Sequence, residues 1–340
     1  MHKHATMNRY YRLVWSHVHA CWVAVAEGAR GHGKGGARRR KATLLAALAA
    51  AGAADAGSAY AAPPLPTALP TGGQVAAGQA QISTNGNHMT VSQATGQAIL
   101  NWNTFDIGAQ ATVQFQQPSA SAVALNRVQS ANPSQIYGKL DANGQVFLVN
   151  PNGVLFAPGA QVNVGGLVAS SLALTDRDFL ARYYSFAGQG GAAVRNEGSI
   201  SAAAGGYVAL LGPSVANSGA ISAPQGSVAL AAGRQIGVDL RGDGLITVRT
   251  SQGALNALAE NQGLIQAGGG QVLLSASAAD ALARASVNNT GLIQAGGLSS
   301  HGGSIRLVAE GGEVAAGALD ASSRDARGGS IAVSGKAVSL

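Results

Sequence analysis

The chain has 340 residues, 48 of them glycine, with 11% charged and 5% aromatic residues. It is too apolar for a disordered polymer and too poor in Leu and aromatics for an ordinary α/β core, which large side chains fill. The formal charge of +7 belongs to residues 1–61, which hold nine Lys/Arg and two acids; the remaining 13 bases and 13 acids cancel, so the body lacks the electrostatic footprint of a nucleic-acid binder.

The first segment reads as a leader. Arg38-Arg39-Arg40-Lys41 precedes the apolar run ATLLAALAAAGAA, which has the length of a signal-peptide hydrophobic region and is too short for a stop-transfer helix. Ala59-Tyr60-Ala61 supplies the small-x-small pattern of a cleavage site, which predicts a cut after Ala61. The single cysteine, Cys21, lies in this leader, so removal leaves a chain without thiols. Upstream, residues 7–34 carry Asn8, Tyr11-Arg12, Val14-Trp15, Trp22-Val23-Ala24-Val25, Glu27 and Arg30-Gly31-x-Gly33-Lys34. This segment resembles the extended signal-peptide region of large type V secreted proteins of Gram-negative bacteria. The resemblance implies Sec-dependent export. Of the histidines, His17-x-His19 sits in the leader, and His88 and His301 are isolated, so no metal or cofactor is expected.

Residues 62–74 are rich in Pro, Gly and Ala and read as an extended linker. Residues 75–130 read as an N-terminal β cap, with Ile82, Met89 and Val91 placed around an Asn85-Gly86 hairpin turn. A cap is needed because the end of a solenoid otherwise exposes unpaired strand edges. Further on, Thr175–Gly188 gathers four aromatics, interrupts the pattern, and reads as an extra-helical hairpin or loop packed on the main body.

From Asn196 onward a unit recurs: Asn-x-Gly-x-Ile-x-Ala, a Gly-rich turn, then a short apolar strand. The marker isoleucines Ile200, Ile221, Ile265 and Ile293 are separated by 21, 44 and 28 residues. The interval of 44 reads as two turns, with Gly242–Thr250 filling the missing one. Two short alternating strands per unit put Ile and Val on one face and polar residues on the other. One unit cannot bury that apolar face, but stacked units can. The period therefore predicts an all-β parallel β-helix, a solenoid of about a dozen coils and, at roughly 4.8 Å per coil, on the order of 60 Å long. A β-propeller blade needs about twice that period. The recurrent Asn reads as a turn residue stacked in a ladder. The expected organisation is 1–61 cleaved leader, 62–74 linker, 75–190 cap and first coils, and 191–340 β-helix repeats that continue past Leu340.

Ordered motifs identify the segment between cap and repeats. They are Asn126-Arg127-Val128, Ser134-x-Ile136-x-Gly138, Gly144-Gln145-Val146-Phe147-Leu148-Val149, Asn150-Pro151-Asn152-Gly153-Val154, Gly165-Gly166-Leu167-Val168-Ala169-Ser170 and Phe179. The segment resembles the N-terminal two-partner-secretion domain of filamentous-haemagglutinin-type exoproteins, nearest the branch containing the high-molecular-weight adhesins. The resemblance implies that the β-helix is right-handed, and that the chain is a non-enzymatic secreted protein exported via the periplasm. Its partner would be a cognate outer-membrane β-barrel transporter with periplasmic domains, and its work at the surface adhesion to a host-cell receptor or glycan. A toxin-delivery exoprotein is the alternative within the same export route. The secretion motif carries over onto Asn150, Pro151, Asn152 and Gly153. An earlier Asn-Pro-Asn-Leu motif of some relatives is represented only by Asn132-Pro133-Ser134-Gln135, so Asn132 and Pro133 are weaker candidates.

Other motifs have plainer readings. Arg241-Gly242-Asp243 is a cell-binding tripeptide that also suits an ordinary turn between coils. Asn288-Asn289-Thr290 is a glycosylation sequon whose Asn288 otherwise reads as a corner residue. A polysaccharide lyase on a β-helix would need clustered acids. The nearest sets, Asp176/Asp178, Glu310/Glu313 and Asp239/Asp243, read as solvated loop residues, so no catalytic residue is assigned.

Overall fold

The computed structural model describes residues 11–16, 21–26, 62–240, 246–280, 283–296, 302–323 and 328–340. The chain divides into two units, Met1–Asp55 and Ala56–Leu340. In the first, Tyr11–Ser16 pairs antiparallel with Cys21–Ala26. The predicted cleavage residue Ala61 lies outside the described residues.

The second unit is a parallel β-helix with three faces. One coil shows the plan. Gln145–Val149 lies on face 1, Val154–Phe156 on face 2 and Gln161–Val164 on face 3. The chain then re-enters face 1 as Gly166–Ser170, in parallel register with Gln145–Val149. Face 1 holds nine parallel strands among the described residues, from Gln97–Trp102 to Ser330–Ser334. Faces 2 and 3 join into one hydrogen-bonded path because Arg284–Gln294 runs round both. Nine coils make a rod about 40 Å long, shorter than the dozen expected.

Inward side chains form axial columns. On face 3, Met89, Val113, Leu140, Val162, Ile200, Ile221, Ile265, Ile293 and Leu319 stack in register. Asn196, Asn217, Asn261 and Asn289, each at most 1% exposed, end their strands' inward run on face 2. Each of the first three donates its Nδ2 to the next residue's Oδ1 at 2.7 Å, so the expected ladder exists. Two residues on, Gly198, Gly219, Gly263 and Gly291 form a tight column. A Cβ at Gly219, Gly263 or Gly291 would lie 2.0, 2.0 or 2.1 Å from the glycine carbonyl oxygen of the coil before. The Asn-x-Gly signature thus combines an amide that must pair axially with a corner that admits no side chain.

Ile221 pairs directly with Ile265, so their interval of 44 residues is one coil and an excursion rather than two coils. The residues expected to form a further coil instead make an antiparallel hairpin, Gln235–Leu240 with Ile246–Gln252. Tyr184–Ala187 joins it antiparallel, giving a three-stranded sheet outside the helix. Thr175–Gly188 is therefore not itself a hairpin. It is a helical turn, Asp176–Leu180, capped by Thr175, whose side chain accepts from Asp178 N, followed by one strand.

This outer sheet covers an apolar stripe. On face 1 the outward residues Ile99, Leu125, Phe147, Val168, Ala209 and Ala229 are buried as well as the inward ones. Phe179, Tyr184, Phe186, Ile236, Val238 and Ile246 pack over them in a second core. The continuous apolar runs VFLV, YVALL and VALAA follow from burial on both faces.

The N-terminal end is closed as expected. Gln74–Ala77 pairs antiparallel with face 1, and Ala80–Asn85 pairs antiparallel with His88–Gln93 through a turn with Gly86 at φ 59°. The segment read as a linker also docks here: Gly108 N donates to Ala68 O at 2.9 Å and Gln110 N to Pro66 O at 2.7 Å.

Breaking the ladder is expected to be costly. Asn217→Ala removes a partner from both Asn196 and Asn261, and should lower unfolding free energy by about 2–4 kcal/mol, since each orphaned buried polar group costs roughly 1–3 kcal/mol. Asn289 Nδ2 has no acceptor and lies in register with Ala316. Ala316→Asn should extend the ladder and act in the opposite direction. Urea denaturation of both variants against wild type reads the two signs.

Candidate secretion-signal corner

Asn150-Pro151-Asn152-Gly153 is the corner between face 1 and face 2. Gly153 N donates to Asn150 O at 2.9 Å, closing a four-residue turn. Pro151 occupies the second position, where its fixed φ favours the turn. Gly153 has φ 105°, and a Cβ there would lie 2.8 Å from Ala193 O in the next coil. Glycine is required by conformation and by space together.

Asn150 is fully buried. Its Oδ1 accepts from Asn152 N at 2.9 Å; its Nδ2 donates to Asn132 O and to Ser134 Oγ, both at 3.0 Å. Its backbone N donates to Ser170 O at 2.9 Å. One side chain therefore ties its own turn to the coil beneath, while its backbone reaches the coil above. Asn152 adds a bond from Nδ2 to Ser130 O at 2.8 Å, and Ser134 N donates to Gly153 O at 3.0 Å.

The two secretion-motif candidates are thus one structure. Asn132-Pro133 stacks directly under Asn150–Gly153, with Asn132 N held by Ser130 Oγ at 3.3 Å. Pro151, Asn152 and Asn132 are exposed, and Pro133 is half-buried. Ser130 and Ser134 complete the pair of corners. The spacing of hydroxyl residues around an Asn-Pro pair was their only sequence signal.

The equivalent corners of two later coils launch the excursions. Face 1 strand Gly166–Ser170 leads into the segment with the helical turn, and Ser227–Ala232 leads into the hairpin. Arg127 clamps the first excursion. It donates to Asp176 Oδ1 at 2.6 Å and to Leu174 O at 2.8 Å. Gln97 Nε2 donates to Phe179 O at 2.9 Å, and the Phe179 ring stands edge-on to Phe147 at 6.0 Å. Phe147 also meets Tyr184 at 5.0 Å. Arg127, Phe147 and Phe179 belong to the motifs that carry the family resemblance, and here they fasten the outer sheet to the rod.

The remaining candidates fall elsewhere. Arg241, Gly242 and Asp243 lie outside the described residues, as does His301. Asn288 is in the strand Arg284–Gln294 rather than at a corner, and its Nδ2 donates to Glu260 Oε1 at 3.1 Å. Of the acidic sets, Asp176 is engaged by Arg127, and Glu310 Oε2 accepts from Ser277 Oγ at 3.0 Å across adjacent coils.

Comparison with known proteins identifies the class. Residues 67–320 match the model of the TPS secretion domain, and residues 7–55 match the extended signal peptide of the type V secretion system. The chain belongs to the TPS secretion domain family and is a two-partner-secretion exoprotein, exported via the periplasm to the cell surface. The solved secretion domain of HMW1 from Haemophilus influenzae is similar, with TM-score 0.72 and 33% identity over 79% of this chain and 71% of that one. A heme/hemopexin-binding protein of Haemophilus influenzae strain KW20 Rd is 37% identical over 213 residues. A second Haemophilus influenzae protein of that name is 50% identical over 88 residues. These matches cover 59% and 26% of this chain but only 23% and 10% of the two relatives.

Asp106 supports the lower corner, its Oδ1 accepting from Gln135 N at 2.8 Å. Burial pushes its carboxyl above the usual carboxylate range, against the opposing pull of that hydrogen bond. A raised folded pKa means the fold prefers the protonated acid, so stability declines as pH rises from the unfolded carboxylate pKa through the folded one. Asp106→Asn keeps an acceptor for Gln135 N without the charge. It should raise Tm by a few degrees at pH 7.5, with the gain vanishing at pH 3 in parallel thermal melts.

Proposed function

We propose that this domain is the address by which a partner outer-membrane β-barrel with periplasmic domains accepts the chain, and that the paired Asn-Pro corners are what it reads. One observation carries the reading. The Asn150 amide is consumed inside the fold, while Pro151 and Asn152 stand exposed above the exposed Asn132. Asn150 builds the corner, and the exposed residues are available to a partner. Folding coil by coil at the cell surface then opposes return of the chain, because each finished coil supplies strand edges for the next. The exported protein acts as a surface adhesin of the haemagglutinin kind. The names of the curated relatives favour a second reading for its surface role, capture of heme or hemopexin.

Co-expression with the cognate barrel separates the roles of the corner residues. Asn150→Ala should reduce secretion together with protease resistance of the purified domain, since it leaves the buried Ser134 Oγ without its donor and Asn152 N without its acceptor, at about 1–3 kcal/mol for each buried group left unpaired. The double variant Pro151→Ala/Asn152→Ser should reduce secretion several-fold while leaving the domain protease-resistant. Secretion of that double variant at the wild-type level would sink the contact role.

A further inference from the structure

The outer face of the three-stranded sheet carries a groove of about 640 Å³. Strand alternation sends Phe186, Ile236, Val238 and Ile246 down to the second core. It leaves Ser185, Gln235, Asp239, Thr247, Arg249 and Ser251 lining the groove, with Arg182 and Tyr183 at one end. Ser185, Gly237 and Arg249 lie in one row across the three strands.

Two residues in this groove run against local propensity. Arg182 has φ 57° at the end of the helical turn, with Arg182 N donating to Phe179 O at 3.0 Å and Tyr183 N to Asp178 O at 2.8 Å. That is a Schellman cap, whose left-handed position is ordinarily glycine because a Cβ is strained there. The opposite exchange occurs at Gly237, in mid-strand, where a β-former would be favoured. Nothing crowds this glycine: a Cβ would meet only Arg249 O, at 3.9 Å. Packing therefore does not explain the glycine. A charged side chain at the rim and a bare floor in the middle both serve an occupied groove, and backbone strain kept at one place is a pointer to function.

We infer that this groove binds an acidic saccharide. Two guanidiniums suit an oxyanion, with the fork geometry that matches carboxylate or sulfate. Hydroxyl and amide side chains with Asp239 suit sugar hydroxyls. Tyr183, 67% exposed, offers a ring to a sugar face. Tyr184 and Val238 also line it but are each only 5% exposed, which disfavours a lipid or another flat apolar ligand. The inference gives chemical content to the adhesion reading above, yet its test is a binding measurement on the secreted, folded chain, so its failure leaves the export reading untouched.

Calorimetric titration of the full secreted chain with trigalacturonic acid tests it, with the trimethyl ester as uncharged control and a sulfated galactose oligosaccharide to distinguish carboxylate from sulfate. Saturable binding of at least one acidic probe is expected, with at least tenfold weaker binding of the ester. Arg249→Gln and Gly237→Val should each weaken binding at least tenfold with an unchanged far-UV spectrum. Arg182→Gly should raise Tm while weakening binding, a pair of signs that a purely structural residue would not produce. Equal affinity for acid and ester, no binding of either acidic probe, or wild-type affinity in Arg249→Gln would overturn the inference.

Discussion

The constraint on which this structure rests is axial registry. A coil of some twenty residues buries almost nothing alone, so every inward group must find its partner in the coil above or below. For apolar columns the demand is loose, and Val, Leu and Ile alternate freely between Val113 and Leu319. For polar groups it is strict. An inward Asn is tolerable only if its amide finds polar partners within reach, because a lone buried amide costs far more than a paired one gains. The ladder from Asn196 to Asn289 is one solution. Asn126 is another: it occupies an inward column between Leu100 and Leu148, and accepts from Trp102 Nε1 at 2.9 Å. Asn150 is a third, satisfied across coils by Asn132 and Ser134 rather than by a fellow Asn.

The solenoid was legible in the sequence because registry writes the same residues at the same place in every coil. Asn-x-Gly marks a corner that repeats, and a repeated corner survives any reading of the strands between. What registry does not govern was harder to read. Ile246–Gln252 alternates like a coil strand, and alternation is blind to whether the neighbour runs parallel or antiparallel, or belongs to the rod at all. Counting it as a coil was the natural error, and the direct pairing of Ile221 with Ile265 corrects it. The helical turn at Asp176 was legible in principle, since Thr175 followed by two acids is an N-terminal capping pattern. The four nearby aromatics mark the segment as packed on the rod and are equally compatible with a hairpin or a loop. Asn288 illustrates the same limit: its neighbour Asn289 is the ladder residue, and a shift of one position turns an inward amide into an outward one.

The secretion-motif candidates were legible as residues but not as an object. Nothing in the spacing of Asn132-Pro133 and Asn150–Gly153 says that they stack, because the 18-residue step from Asn132 to Asn150 had first to be recognised as one coil. Once stacked, the two acquire different duties. Asn150 is a structural amide whose polar atoms all face protein, and the surface of the corner is made by its neighbours. A short motif recurring within a family therefore need not be contacted residue for residue; part of it can exist to hold the rest still.

The clamp on the outer sheet shows the same division. Phe147 projects outward from face 1, where a solenoid would ordinarily carry a polar side chain, and is fully buried. Uncovered, its ring and the stripe above and below would form an apolar patch and an aggregation hazard. The excursion through Phe179 and Tyr184 covers it, and Arg127 fixes the cover through Asp176 and the Leu174 carbonyl. The ion pair itself is exposed at Asp176 and adds little stability; its worth is positional. It sets where the chain after Thr175 lands, and so where Arg182 and Tyr184–Ala187 stand against the hairpin that arrives from a later coil. The outer sheet is thus assembled from two excursions that leave one corner of the rod and meet over one stripe, which ties the surface of the domain to the registry of its core.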